Sequence, residues 1–290
     1  MILNVKDETA QLEAVIIGIG KDRGCPRPIN PMIRMHLEKG TFPKTDDVCR
    51  EIGQLESILT NNNVKVFKPV NIPGLEQIFV RDIGFVIEDY FFISNMKHQV
   101  RMQEIRGIEI LINQIEKGKV VKIPKEITIE GGDIIPWKDI IFVGLGDRTT
   151  MDGALFLQKI FPNKQVLTFE LVVDQDNFNK NTLHLDCTFQ PIGRNHAIIY
   201  LDGFQNLPKE LFEFFPKNNL IEISLDQKNR MFPNILSLSP SKIIIEKGFI
   251  ELKQELINRK FEVVEVGYKE TSKLNGLLRC STLPLRRSKI

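Results

Sequence analysis

The segment EGGDIIPW, residues 130–137, has two acids around a pair of glycines before an apolar run. Polar clusters lie before or within apolar runs at four other places: VRDIG (80–84), LHLD (183–186), NILSLS (234–239) and RCSTLP (279–284). The steps between Asp82, Glu130, His184, Asn234 and Cys280 are 48, 54, 50 and 46 residues. This nearly even spacing indicates a repeated strand-strand-helix-strand unit. Repeats that stack around an axis bring equivalent positions together, so we expect these five residues to converge.

Short β-branched and aromatic runs alternate with segments of helical period around these clusters, a pattern typical of an α/β protein. The predicted strands are 14–19, 64–68, 90–94, 119–123, 140–143, 165–169, 196–201, 241–245 and 261–266. Helices are predicted from Thr45, a possible N-cap, to about Asn61, along 105–115, and at 151–160, 208–215 and 249–259. The Gly- and Pro-rich segment 20–43 is either a lid over the site or an ordinary surface connection.

Composition narrows the class of partner. The chain has 290 residues, of which 42% are hydrophobic and 26% charged, enough for one large domain or two tightly joined ones. Lys and Arg together number 39 against 37 for Asp and Glu, a net charge of +2. Such a balance gives no field that would attract nucleic acid or an acidic membrane surface, so a small-molecule substrate fits it better.

The sequence predicts a cytoplasmic protein with free thiols. The start, MILNVKDETAQLEAVII, mixes charges into its apolar runs, unlike a secretory signal. No apolar stretch approaches the roughly 20 residues that cross a bilayer. Cys25, Cys49, Cys187 and Cys280 lie far apart without a C-x-x-C pair, so neither a disulfide framework nor a zinc site is indicated.

Cys280 and His184 are the candidates for nucleophile and proton carrier. A lone cysteine is usually a small buried hydrophobe, and a lone histidine is more often structural than catalytic. The basic residues around Cys280 could favour its thiolate or could form a solvated patch; they are Arg279, Arg286 and Arg287. Apolar and polar residues alternate along TLHLDCTF, so a strand there would present His184 and Asp186 on one face.

Acidic residues complete the candidate site. Glu130 and Asp133 flank glycines that permit close backbone approach, although a hairpin turn would have the same pattern. Asp82 is either a ligand-facing carboxylate or a member of an ion-paired turn. A guanidinium is planar, permanently charged and rich in N–H donors, so its site needs carboxylates in its plane. Asp82, Glu130 and Asp186 could supply them while a Cys280 thiolate attacks the carbon from above.

At these residues the chain resembles the guanidino-group-modifying enzymes, the superfamily of arginine deiminase, dimethylarginine dimethylaminohydrolase and the glycine and inosamine amidinotransferases. The motifs VRDIG, EGGD, GLGDRTT, LHLDCTFQPIG and RCSTLPLRR occur in order over nearly the whole chain. The resemblance implies an α/β fold, a five-bladed α/β propeller (pentein) with pseudo-fivefold repeats of a ββαβ unit. It also implies one guanidino-modifying catalytic domain over residues 1–290, with the site on the pseudo-fivefold axis.

The resemblance assigns roles to individual residues. Cys280 matches the family nucleophile, His184 the general acid and base, and Glu130 the acid that positions the histidine. The substrate-binding residues that it implies are Asp82, Asp186, Asp133, Arg101 and Arg148, the two arginines as holders of an α-carboxylate. No metal and no organic cofactor is implied.

Departures from the family pattern bear on the substrate. Only 29 residues separate Arg101 from Glu130, so the helical insertion typical of arginine deiminases is absent, and Asn275 stands where those enzymes often carry an arginine. Dimethylargininases generally lack the acid that matches Asp186. The presence of this acid here suits a substrate with unmethylated N–H groups. We therefore expect a hydrolase that converts arginine or an arginine-like compound to a ureido product.

Two alternatives stay open. Amidinotransferases keep the second aspartate and have paired arginines after the cysteine, as at Arg286 and Arg287, so the chain could transfer the amidino group to an amine. A non-catalytic binding protein of the same fold is the other alternative. We expect a small-molecule guanidino substrate, no nucleic acid and no membrane as partners, and we allow for a homodimer.

Overall fold

The computed structural model describes residues 1–288, in which fifteen short strands and eight α-helices are joined by loops and single turns of 3-10 helix. The strands are β1 (Leu12–Ile17), β2 (Lys65–Phe67), β3 (Gly84–Ile87), β4 (Tyr90–Ile93), β5 (Val120–Lys122), β6 (Ile134–Trp137), β7 (Ile140–Leu145), β8 (Gln165–Glu170), β9 (Phe189–Ile192), β10 (His196–Ile199), β11 (Leu220–Glu222), β12 (Leu236–Ser239), β13 (Lys242–Glu246), β14 (Glu262–Val266) and β15 (Thr282–Arg287). The helices are α1 (Pro31–Glu38), α2 (Thr45–Asn61), α3 (Glu109–Ile112), α4 (Met151–Ile160), α5 (Lys209–Phe214), α6 (Leu225–Asn229), α7 (Ile250–Asn258) and α8 (Lys269–Ser272).

The strands form five three-stranded sheets that share one topology. In each sheet the first strand is antiparallel to the middle strand and the third is parallel to it, as in β6, β7 and β8. The parallel pairs need crossover connections, and α2, α4 and α7 supply three of them. One sheet combines both ends of the chain, because β15 pairs with β1, which also pairs with β2. The repeat that the sequence spacing indicates is therefore present five times.

Burial differs between the strands of a unit. The first strand β6 (IIPW) is buried along its whole length, and the middle strand β7 (IIFVGL) is buried except for its last residue. The third strand β8 (QVLTFE) has exposed polar residues. Because the first strand of each unit is buried, the polar residues that directly precede it are carried into the interior. This placement is how the sequence clusters come to form a site.

Hydrophobic clusters join neighbouring sheets. The aromatic cluster between the sheets that contain β7 and β10 includes Trp137, Phe142, Phe189 and Phe215. The ring centroids of Trp137 and Phe215 lie 4.8 Å apart, and those of Phe142 and Phe189 lie 5.4 Å apart in an edge-to-face contact. Such pairs add about 0.5–1.5 kcal/mol to the stability that area burial gives.

The sequence prediction of an α/β protein is confirmed, and every predicted strand has a counterpart within a few residues. The segment 20–43 contains α1, whose N-cap Asn30 accepts the backbone N–H of Ile33. The helix predicted from 105 to 115 is a 3-10 turn followed by the short α3. Thr45 is the first residue of α2 rather than its N-cap, which is Lys44.

One local prediction was wrong, and one alternative is excluded. The segment TLHLDCTF is not a strand, because Leu185–Cys187 form a 3-10 turn and the strand begins only at Phe189. Gly131–Asp133 form a 3-10 turn before β6, which excludes the alternative of a hairpin turn there. Along TLHLDCTF short-range alternation resembles that of a strand, whereas the hydrogen bond from the Leu185 N–H to Asp133 holds the turn.

No helix in the described part of the chain is long and apolar enough to cross a membrane.

Candidate functional site

The five residues that the spacing singled out all lie in loops directly before the first strands of the five units. All five are buried, with at most 3% of the surface of any of them exposed: Asp82, Glu130, His184, Asn234 and Cys280. Hydrogen bonds and ion pairs link them in two groups, one around the cysteine and one around the histidine. The expected convergence of these five positions is thus seen in the side-chain contacts.

The Cys280 sulfur lies between an amide and a carboxylate. Asn234 Nδ2 is 3.1 Å from Cys280 Sγ, and Asp186 Oδ2 is 3.6 Å from it. Burial, together with the charges of Asp186 and Asp82, raises the pKa of the Cys280 thiol well above its usual value, while the Asn234 hydrogen bond lowers it. The free thiol is therefore protonated at neutral pH, and a cation beside these acids would favour its ionisation.

His184 is held as a cation. Its Nε2 lies 2.9 Å from Glu130 Oε2, and its Nδ1 lies 3.7 Å from Asp82 Oδ1. Burial opposes the imidazolium, but the charges of Asp82, Asp133 and Glu130 outweigh it and raise the pKa of His184 to about 9. The Glu130 carboxyl is likewise opposed by burial, yet His184 and the neighbouring arginines lower its pKa to about 2. At neutral pH the pair is an imidazolium and a carboxylate, which suits a proton donor.

Asp133 supports the turn that carries His184. Its Oδ1 accepts the backbone N–H of Leu185 at 2.9 Å, and burial raises the pKa of its carboxyl to about 7. Gly132 lies against the imidazole so closely that a Cβ there would come within 2.6 Å of His184 Cγ. A contact to substrate remains a prediction for Asp133.

The two predicted carboxylate-binding arginines contact the acids of the site. Arg101 is 2.7 Å from Asp82 Oδ2 through Nη1, and its Nε and Nη2 form a bidentate pair with Glu104, each bond being 2.9 Å long. Arg148 Nη1 lies 3.5 Å from Glu130 Oε2. Arg101 Nη2 also donates to the Phe79 carbonyl at 3.1 Å, so the second N–H of Nη1 is the donor that Arg101 could offer to an α-carboxylate. The role of the two arginines as a clamp stays a prediction.

Sequence reasoning assigned no chemical role to Asn234 and overlooked Glu8. Arg279 was suggested as a partner for the thiolate, but it contacts Asp186 instead, at 2.8 Å, and Glu8 at 3.2 Å. The repeat spacing already marked Asn234, although its residue type gave no hint of a function. No local pattern marks Glu8, which precedes β1 and meets its partners only through the fold.

Asp82, Glu130 and His184 could together hold a metal ion, since their donor atoms lie within 4.8 Å of one another. The chemistry of the histidine argues against it, because a nitrogen that ligates a metal must be unprotonated. The acids around His184 keep it protonated. The absence of a metal requirement therefore stays a prediction, and the protonation of His184 is the physical reason for it.

The segment 20–43 borders the site. Arg23, Cys25 and Arg27 line a small cavity of about 30 Å³ together with Arg101 and Glu104. Farther along the segment, Met32 lines a second small cavity with Leu183 and Cys187, the neighbours of His184 and Asp186. These contacts place the segment beside the site, and both interpretations of it, as a lid and as an ordinary surface connection, stay predictions.

Comparison with known proteins agrees with this geometry. Residues 45–287 match the family described as N,N dimethylarginine dimethylhydrolase, eukaryotic. Uncharacterized protein YkgA of Bacillus subtilis is 30% identical over 235 residues, which are 80% of this chain and 78% of that protein. The bifunctional arginine dihydrolase/ornithine cyclodeaminase AgrE of Nostoc is 26% identical over 263 residues, 88% of this chain but 35% of that longer protein.

Solved structures share the fold. The N-terminal domain of ArgZ, a cyanobacterial arginine dihydrolase, superposes with a TM-score of 0.83 at 18% identity and covers 94% of this chain and 98% of that one. SxtG, an amidinotransferase of Microseira wollei, gives a TM-score of 0.79 at 19% identity and covers 99% and 98%. The resemblance seen in the motifs is thus confirmed, and the chain belongs to the N,N dimethylarginine dimethylhydrolase family within the guanidino-modifying pentein superfamily.

Proposed function

We propose that this protein is an enzyme that hydrolyses arginine or an arginine-like guanidino compound to a ureido product, with Cys280 as nucleophile. The observation that carries the proposal is the buried pairing of a His184 imidazolium with Glu130 beside a cysteine and two further aspartates, Asp82 and Asp186. A proton donor, a nucleophile and several carboxylates are the groups that attack on a guanidinium carbon requires.

The charges of the site suit a planar cation. Asp82 Oδ1 and His184 Nδ1 are buried without a hydrogen-bond partner among the described residues. Buried polar atoms are nearly always hydrogen-bonded. The unpaired Asp82 Oδ1 can therefore accept a hydrogen bond from an N–H group of a ligand. A guanidinium would supply such donors and would also bring the positive charge that favours ionisation of Cys280.

The reaction would proceed in two halves. When the guanidinium binds, the Cys280 thiol releases its proton to solvent, since His184 already carries one. The thiolate then forms a carbon–sulfur bond with the guanidinium carbon, and the surrounding carboxylates stabilise the tetrahedral adduct. The carbon–nitrogen bond then breaks, and His184 gives its proton to the departing amine. Water adds to the remaining amidino-thioether carbon as the neutral His184 takes up one of its protons, and the carbon–sulfur bond breaks to release the ureido product and the thiol.

Asp186 favours an unmethylated substrate within this proposal. It is fully buried next to the cysteine. Its Oδ2, which lies 3.6 Å from Cys280 Sγ, accepts a hydrogen bond from Arg279 Nη1 at 2.8 Å, and its Oδ1 lies 3.6 Å from Cys187 Sγ. A carboxylate oxygen has two acceptor sites, so Oδ2 can accept a second hydrogen bond from a substrate N–H, which a methylated nitrogen cannot donate. The dimethylated substrate that the family description names therefore ranks second.

The proposal extends to the scaffold. The five sheets with one topology, and the convergence of the loops before their first strands, support a five-bladed propeller with the site on its axis. Residues 1–290 would then act as one catalytic domain. A homodimer and a cytoplasmic location remain predictions.

Transfer of the amidino group to an amine is the second candidate function, and the whole-chain likeness to SxtG favours it. The paired arginines after Cys280, Arg286 and Arg287, give little support to amidino transfer. Arg286 pairs with the half-exposed Glu13, and Arg287 Nη1 donates to the Ser237 carbonyl at 2.9 Å. Both arginines have structural partners away from the sulfur.

A substrate panel tests the proposal. Purified protein is incubated with arginine, agmatine and dimethylarginine, and ureido product, ammonia and released amines are measured. We expect ureido product from arginine or agmatine in excess of that from dimethylarginine. Product that forms only when glycine or another amine is added would establish transfer. No reaction with any of them would indicate the non-catalytic binding protein.

Replacement of the cysteine tests the nucleophile. We expect Cys280→Ser to lower turnover by about 10³-fold or more, because a serine without an adjacent base is a poor nucleophile. Cys187→Ser is a matched control, since Cys187 is also buried and its sulfur is also 3.6 Å from Asp186. Cys187→Ser should keep activity within a few-fold of the wild type. Normal turnover in Cys280→Ser would end the proposal.

A further inference from the structure

Asn234 holds, in the fourth unit, the position that acids, the histidine and the cysteine hold in the others. It is fully buried in the loop before β12. An amide neither carries charge nor exchanges a proton at neutral pH, so the proposed chemistry leaves this residue without a role. Its contacts supply one.

Most hydrogen bonds of Asn234 go to the turn that carries the cysteine; its backbone N–H donates to the Met231 carbonyl, and its Nδ2 also lies 3.5 Å from the Asp186 carbonyl. Its Oδ1 accepts the backbone N–H groups of Leu277, at 3.1 Å, and Cys280, at 3.0 Å. Its Nδ2 lies 3.1 Å from Cys280 Sγ. Its backbone carbonyl accepts the N–H groups of Leu278 and Arg279 at 3.1 and 3.3 Å. One residue thus fixes four consecutive residues and directs a donor at the sulfur.

The network fixes the orientation of the amide. If the oxygen and nitrogen of Asn234 were exchanged, its NH₂ group would face the two N–H donors of Leu277 and Cys280, and nothing would accept them. The nitrogen therefore faces the sulfur. A hydrogen bond to the charged form of a group favours that form, so this donor stabilises a thiolate in a site where burial and acids disfavour it.

We propose that Asn234 is a positioning residue for the nucleophile, which sets the 277–280 turn and donates the hydrogen bond that stabilises the Cys280 thiolate. The inference rests on the proposed function, in which Cys280 attacks the substrate. It differs from a purely structural role because it predicts an effect on the ionisation of one sulfur atom.

The test measures the sulfur directly. The rate at which iodoacetamide alkylates Cys280 is followed against pH by peptide mapping, beside the pH profile of kcat/KM for the active substrate. In Asn234→Ala we expect the apparent pKa of Cys280 to rise by about one unit or more, with alkylation at neutral pH slower by about tenfold. Asn95→Ala is the control, since Asn95 Nδ2 donates to three backbone carbonyls, those of Pro124, Lys125 and Ile127, and not to the sulfur. Its profile should match the wild type.

A second variant covers the case in which Asn234→Ala does not fold. Asn234→Asp keeps an acceptor for the N–H groups of Leu277 and Cys280 and places a second oxygen near the sulfur where the donor was. We expect an alkaline shift at least as large as in Asn234→Ala, because an anion there opposes the thiolate. If the pH profiles of Cys280 alkylation in the folded Asn234 variants were the same as in the wild type, the inference would be overturned. Failure of the proposed function is a separate result: it appears as no product in the substrate panel or as turnover retained in Cys280→Ser, whereas the alkylation rate of Cys280 is measured without substrate.

Discussion

At the residue scale, each charge in the site depends on a neighbour. Glu130 stays ionised in spite of complete burial because His184 and Arg148 lie against it, and His184 stays protonated because three acids surround it. The folded-state pKa of His184 lies above its ordinary value of 6.5, so the stability it contributes is full below about pH 6.5 and is lost as the pH rises to about 9. A proton donor is thus held ready over the neutral range.

Replacement of Glu130 should move the pH profile. In the enzyme–substrate complex the bound guanidinium favours the Cys280 thiolate, so the alkaline limb of kcat should reflect loss of the His184 proton, whose pKa in the free protein is about 9. In Glu130→Gln the imidazolium loses an anion at 2.9 Å, so the limb should move about one unit or more toward lower pH, and activity should fall by about 10²-fold. Glu246→Gln is the control, because Glu246 is also buried but accepts only the N–H of Gly248. An unmoved limb in Glu130→Gln would show that another group donates the proton.

At the scale of elements, periodicity predicted the middle strands, every third strand except β11, and most helices, because each of these carries enough apolar residues to show a period. The first strands were missed: β6 and β9 have four residues each and contain a proline, so IIPW and FQPI resemble loops. Their burial comes from contact with neighbouring sheets, which no local pattern records. The strand predicted at LHLD is wrong for the same reason, because Leu185–Cys187 form a 3-10 turn that contacts with other loops hold in place.

The turn before β6 should tolerate no side chain at its second glycine. A Cβ on Gly132 would lie 2.6 Å from both Cγ and Nδ1 of His184, and a fully buried imidazole has little room to move. Gly132→Ala should therefore lower kcat/KM by about 10²-fold or more, because a catalytic group displaced by about 1 Å loses that much. Gly118→Ala makes the same change where nothing lies within 4 Å, so its activity should equal that of the wild type. Equal activity in Gly132→Ala would mean that His184 can shift without loss.

At the scale of the whole molecule, even spacing was enough to predict that five distant loops meet, because repeats place equivalent residues together. The contacts behind the site were not predictable in this way. Glu8 accepts hydrogen bonds from Arg81 Nη1 at 2.7 Å and Arg279 Nε at 3.2 Å, and Arg279 reaches on to Asp186. Glu8 and Arg279 are 271 residues apart, and only the completed fold brings them together.

This buried network ties the N-terminal segment to the loops of Asp82 and Cys280, so its loss should be felt by the whole fold. Burial opposes the Glu8 carboxylate, but Arg279 and Arg81 lower its pKa to about 2. Its contribution to stability is then present above about pH 4.5 and is lost as the pH falls toward 2. Without the Glu8 carboxylate, the buried guanidinium groups of Arg81 and Arg279 each lose an ion-pair partner.

Glu8→Ala should lower the free energy of unfolding by about 3–5 kcal/mol near neutral pH, the usual effect of breaking a buried ion pair. Glu13→Ala removes the half-exposed partner of Arg286 and should cost less than about 1 kcal/mol. Urea unfolding of both variants and the wild type gives the comparison. The deficit of Glu8→Ala should shrink when the pH is lowered to about 3, since the unfolded wild-type chain takes up a proton on Glu8 below about pH 4.5, whereas the folded protein keeps this carboxylate ionised down to about pH 2. If Glu8→Ala and Glu13→Ala unfolded alike at neutral pH, the two chain ends would be held by the pairing of β15 with β1 alone, without help from the buried charges.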